Sequence, residues 1–298
     1  MFLGRKGVAG FSVGYDEAQA STMMSNIERI RGAETFELLM IAVPASYVLI
    51  RLFLMATGDK FVSAGTFTKL GMPMRDYVCF TLVAGIFCIW IAFAGLILFF
   101  NMFGVDDLYT KLAEDTFYSR STFVENHIFL PMFVFQAYNT VFSMLFKQTR
   151  DTVMIIHHLA AVMTSIVAMA PFLQHDAFFF FGMAELSNIP LTWIDLTRQM
   201  PNLRDDYPIV HAFFQLFFVV IFLLVRCVLW PVRVFFVMYR ISYFIKQGLI
   251  HNELVAYGFM TSTALLTALQ VVWGRKIFFL ALRTYTGGSS EKDKPKKE

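Results

Sequence analysis

The sequence predicts an all-α polytopic membrane protein, on three observations. The 298 residues are 57% hydrophobic and only 16% charged, they include 35 Phe, and the mean hydropathy is +0.59. A soluble core of this length has no room to hide so much apolar surface. Apolar runs of about twenty residues recur along the chain, the length an α-helix needs to cross a hydrocarbon core of about 30 Å. The spans are expected to be helical because a helix satisfies its own backbone hydrogen bonds in lipid.

Seven spans are expected, at roughly 35–56, 77–103, 127–146, 152–173, 177–195, 208–239 and 254–283. The segment before the first carries Asp16, Glu17, Glu28 and Glu34 and no compact apolar core, which argues against a cleavable secretory signal. The second span, from Tyr77 to about Phe103, has no polar stripe and is expected to face lipid. The third, fourth and fifth are joined by short connections, Lys147 to Asp151 and a few residues around Gln174, His175 and Asp176, and are expected to be antiparallel neighbours. The sixth is about 48 Å long at 1.5 Å per residue, so Pro231 is expected to kink it or to turn its end along the interface. The seventh runs into a tail, Gly287 to Glu298, whose composition reads as disordered.

Charge reports topology. The formal net charge is +3 and the basic residues lie mostly in loops and in the tail, a pattern that gives no footprint for nucleic acid. Lys60, Lys69, Arg75, Lys147, Arg150, Arg198, Arg204, Arg283 and the tail lysines fall on one side, which the positive-inside rule makes cytosolic; the amino terminus is then lumenal. Lys294 and Lys296 stand five and three places from the end, a pattern that resembles a dilysine retrieval signal and that a solubilising basic tail also produces. The expected location is the endoplasmic reticulum, with a mitochondrial or other organelle membrane as the alternative.

Polar residues inside the spans mark the candidate site. His157 and His158 lie about two turns into an otherwise apolar run, and ionisable groups at such depth usually face a protein interior or a wet cavity. At a similar depth from the cytosolic side lie Asn139, Gln215 and Thr267; nearer the bilayer middle lie Gln136, Ser165, Glu185 and Thr263. Gln136, Asn139 and Ser143 share one helical face, as do Glu185, Asn188, Thr192 and Asp195, and as do Thr263, Thr267 and Gln270. For the neutral residues the plain reading is interhelical hydrogen bonding. Glu185 needs a partner, a proton or water, and Arg226, nearer the lumenal edge, is the candidate counter-ion. Pro190 frees the carbonyl of Leu186, which suits either a ligand cavity or a plain kink.

Other chemistry has weaker support. Cys79, Cys88 and Cys227 fall within spans without paired spacing and are expected to be inert buried thiols. His127, His175, His211 and His251 fall at span ends or in loops. No histidine pair with a third ligand at metal spacing is present, nor a Gly-rich phosphate loop. Neither a metal nor a cofactor is expected.

Four segments, taken together and in order, resemble the TLC domain shared by ceramide synthases, the translocating-chain-associating protein and several small lipid-linked proteins. They are Ile155-Ile-His-His-Leu-Ala-Ala161, Ala184-Glu-Leu-Ser-Asn-Ile-Pro190, Phe222-Leu-Leu-Val-Arg-Cys-Val-Leu-Trp-Pro231 and Leu269-Gln-Val-Val-Trp-Gly-Arg-Lys-Ile277. The resemblance covers roughly residues 75–285, preceded by a lumenal segment 1–34 and an additional transmembrane helix 35–56, and followed by a basic cytosolic tail 286–298. It implies a six-helix barrel around a lipid-sized cavity, built from spans two to seven, with the histidine pair, Glu185 and Arg226 on its inner surface. In ceramide synthases the histidine pair is followed, past a longer connection, by a His-Asp with a further Asp three residues on. Here His175-Asp176 comes sooner and runs into Ala177-Phe-Phe-Phe-Phe181, so the chain is nearer to the small TLC-domain-containing proteins.

Three functions fit this pattern. The first is a lipid-binding protein of lipid homeostasis that senses, transfers or controls membrane composition. Its ligand-binding set would be Gln136, Asn139, His157, His158, Glu185, Asn188, Gln215, Arg226 and Thr267. The second is an acyltransferase with His157 or His158 as general base and acyl-CoA as co-substrate, since imidazole titrates near neutrality. The third is an accessory subunit of a larger membrane complex, with membrane protein partners besides lipid.

Overall fold

The computed structural model describes residues 11–12, 34–57, 62, 66–68, 72–102, 120–146, 152–169, 173–250 and 252–285. Most of the amino-terminal segment, most of the 104–126 loop, the 147–151 connection, His251 and the tail with its lysine pair lie outside the described residues.

Among the described residues seven helical elements of 17 residues or more follow one another, with a short helix, Pro201–Asp206, between the fifth and the sixth. They are α1 (Glu34–Ala56), α2 (Met74–Met102), α3 (Thr122–Leu145), α4 (Thr152–Ala168), α5 (Gln174–Gln199), α6 (Pro208–Lys246) and α7 (Glu253–Tyr285). Six of them are long and apolar enough to cross a membrane; α4, with 17 residues, is shorter than the expected span 152–173. A helix of that length covers about 25 Å. A two-residue antiparallel ladder pairs Phe11 with Ser121 and Ser12 with Arg120.

Packing orders six helices into a closed ring: α2, α3, α4, α7, α6, α5 and back to α2. Helix α1 stands outside it against α2 and α3 and exposes Leu38, Ile41 and Leu49. The ring is built from the six helices that the resemblance implies, spans two to seven, with the first helix outside it. It also corrects the expected neighbours, because α5 lies across the ring from α4. The short connection fixes only where their ends meet, and Leu173, in the left-handed region at φ 57°, turns the chain there.

The second span does not simply face lipid. Cys88, Ile91, Ala92, Ala94 and Leu98 are buried, and α2 crosses α5 so closely that a Cβ at Gly182 would collide with the backbone of Gly95. Gly85, Cys88, Ala92 and Gly95 recur at three and four residues, the spacing that lets helix backbones approach. Its inward face is made of small side chains rather than polar ones.

Three helices contain π-helical stretches: Glu125–Phe129 in α3, Phe178–Met183 in α5 and Phe222–Leu229 in α6. Helix α5 is also interrupted at Leu186 and Ser187 before it resumes at Asn188. Such local widening often occurs at functional positions. The start of α5 is pinned to the later part of α6 by Asp176, fully buried, which accepts from Arg233 and from Arg240 at 3.2 Å. Sequence reading left Asp176 in a loop. Beside it Gln174 accepts from Ser121 N at 2.7 Å and donates to Glu125 at 3.0 Å, which ties the start of α3 to the start of α5.

Candidate functional site

The histidine pair, the acid and the arginine come from α4, α5 and α6, and the ring brings them together. Helix α4 turns Val153, Ile156, Leu159 and Met163 outward, so the opposite face carries the imidazoles inward. Nδ1 of His158 lies 2.6 Å from Oε1 of Gln136 on α3. An amide oxygen only accepts, so Nδ1 carries the hydrogen and Nε2 keeps its lone pair, an assignment that follows from the partner. His157 sits edge-on to Trp273 of α7 at 5.2 Å, and its Nδ1 is buried without a hydrogen bond.

On the opposite wall the break in α5 organises the charges. Arg226 Nε donates to Ser187 Oγ at 2.8 Å and Nη2 donates to the carbonyl of Ala184 at 2.7 Å. The guanidinium therefore braces the interruption through Ser187 and the Ala184 carbonyl, which also accepts from Ser187 Oγ at 3.1 Å. Glu185 is held by neutral donors instead: Asn188 Nδ2 at 2.6 Å and the thiol of Cys88 at 3.4 Å. Arg226 shares this wall with Glu185, but its described hydrogen bonds go to Ser187 and Ala184.

These groups surround one interior cavity of about 30 Å³. Its polar wall is Gln136, His157, Glu185, Arg226 and Gln270, and apolar side chains such as Phe180, Phe181 and Leu266 complete it. That volume admits one or two water-sized groups. Side chains occupy much of the interior where the resemblance implies a lipid-sized cavity, the four buried phenylalanines 178–181 among them. Two larger hollows, about 620 and 550 Å³, lie on the outer surfaces of α7 and α1. Each is lined by one helix alone and faces where lipid would be, so neither is the interior site.

The sequence-predicted residues divide accordingly. Gln136, His157, Glu185 and Arg226 line the cavity, and His158 and Asn188 bond directly to lining residues. Thr267 is one step removed: it accepts from Trp230 Nε1 at 2.9 Å and fixes that indole in the wall. Asn139 is buried, with an unpartnered side-chain oxygen, but lies outside the wall. Gln215 is exposed on the outer face of α6 and meets none of the others.

Sequence reasoning missed Cys88, Ser187, Gln270 and Trp230 as parts of the site. The thiol, expected to be inert, is a donor to Glu185; the small-residue spacing of α2 is the signal that could have found it. Gln270 belongs to the Thr263, Thr267, Gln270 stripe and was visible there. Among the described residues no group of three His, Cys, Asp or Glu stands close enough to hold a metal ion.

The TLC-domain family model matches residues 77–278, more than half of the chain. No curated protein and no solved structure matches it significantly.

Proposed function

The chain belongs to the TLC-domain family, and on that premise we propose that it binds a membrane lipid through the interior of its ring, as a protein of lipid homeostasis that senses, transfers or controls lipid composition. One observation carries the reading. Imidazole, carboxylate, guanidinium and amide groups from α3, α4, α5, α6 and α7 meet at a single cavity inside an otherwise apolar ring. Interhelical hydrogen bonding accounts for single neutral residues but gives no reason for charged groups to gather at one point. The cavity is sized for the polar end of a lipid, so its chains lie between helices or displace the phenylalanine side chains of α5. The endoplasmic reticulum is the proposed membrane.

Native mass spectrometry of gently purified full-length protein tests this. A lipid should be retained by the wild type and lost on Glu185→Leu. Retention of no lipid by the wild type, or undiminished retention by the variant, contradicts the proposal. Arg226 makes a poorer test, because it also spans the break in α5.

A second reading has its own support. Gln136 orients His158 as the third member of a triad orients a base, leaving Nε2 able to take a proton. An acyltransferase using acyl-CoA would employ it so. Consumption of acyl-CoA that ceases on His158→Ala, with melting unchanged, would favour this reading over simple binding.

A further inference from the structure

Gln270 enters none of the hydrogen bonds described above, yet at 2% exposure it is the most deeply buried polar side chain on the cavity wall. Its Oε1 has no hydrogen-bond partner, and neither has Nδ1 of His157 on the same wall. The other polar members are engaged: Gln136 with His158, Glu185 with Asn188 and Cys88, Arg226 with Ala184 and Ser187. Two residues of this wall, one with an unmet obligate acceptor and one whose unmet ring nitrogen can donate, therefore line a space of about 30 Å³.

We propose that this space receives the hydroxyl of an uncharged lipid headgroup, which donates to Gln270 Oε1 and accepts from Nδ1–H of His157. The inference rests on the lipid-binding reading and names its ligand class. A hydroxyl is donor and acceptor at once, so it meets both needs with one atom. An ether or ester oxygen only accepts and leaves Gln270 unmet. A phosphate is too large for the space, and its oxygens would face the Gln270 oxygen and the Glu185 carboxylate. An anionic headgroup would meet the carboxyl oxygens of Glu185 as well as Arg226 on this wall.

The test compares three probes with the same acyl chains: dioleoylglycerol, its methyl ether and dioleoyl phosphatidic acid. Each is titrated onto full-length protein in nanodiscs, and occupancy is read by native mass spectrometry. Wild type should take up dioleoylglycerol at about tenfold lower concentration than the ether. In Gln270→Leu that preference should shrink to about twofold or less, with the melting temperature at or above wild type, because the change removes a buried acceptor that has no partner. Gln270→Met serves as the second variant, and the wild-type comparison needs no variant at all. Equal uptake of alcohol and ether, an unchanged preference in the variants, or preferred uptake of phosphatidic acid overturns the assignment while leaving lipid binding intact. Uptake of none of the three overturns the lipid-binding reading together with it.

Discussion

Two buried carboxylates on α5 are held in opposite ways. Asp176 lies at the start of the helix and meets the guanidiniums of Arg233 and Arg240 directly. Glu185 lies deeper, with Arg226 on the same cavity wall, yet its partners are an amide and a thiol, while Arg226 holds the interrupted backbone. The first arrangement is a staple: opposite charges meet and α6 is tied to α5. The second keeps a carboxylate, a guanidinium, an imidazole and two amides around one small cavity, with Gln270 Oε1 and His157 Nδ1 left without partners. Rigid closure at one end and unfinished polarity in the middle suit a protein that must hold its ring while admitting a ligand.

Substitutions should separate the two regions, and the largest effect belongs to the staple. Asp176→Ala removes the acceptor shared by two largely buried guanidiniums and should cost about 3–5 kcal/mol, read as loss of thermal stability in the purified full chain. A cost under about 1 kcal/mol, the value typical of exposed pairs, would mean that Asp176 is no staple. Gly182→Val forces α2 and α5 apart where their backbones nearly touch, and overpacking of this kind should cost roughly 1–3 kcal/mol. Glu185→Leu should change stability by about 1 kcal/mol or less while removing the lipid, which reverses the pattern of Asp176→Ala. Gln215→Ala should do least, within about 0.5 kcal/mol and with lipid retention unchanged; loss of lipid there would contradict its outward placement.

The fold was legible from the spans because apolar runs of membrane length leave the chain few choices. The ring order was not, since short loops constrain ends and not which faces pack. Within the site, His157, Glu185 and Arg226 stood out because ionisable groups at membrane depth are costly. Gln215 is expected at the site from its depth alone, and depth does not fix which face of α6 carries it; it points outward. Cys88 and Gln270 carry no mark in the sequence that assigns them to the site, because neither is exceptional alone. What distinguishes them is the company the ring gives them.

The most direct measurement is photolabelling with a diazirine-bearing lipid, followed by peptide mapping of α4. That helix presents His157 and Ala161 to the cavity and Val153, Ile156, Leu159 and Met163 outward. If a lipid enters the ring, label should appear on the inward positions and around Phe180, Glu185 and Leu266, and it should be competed away by unlabelled lipid. Label confined to the outward four residues and indifferent to competitor would mean that lipid only surrounds this protein and does not occupy it.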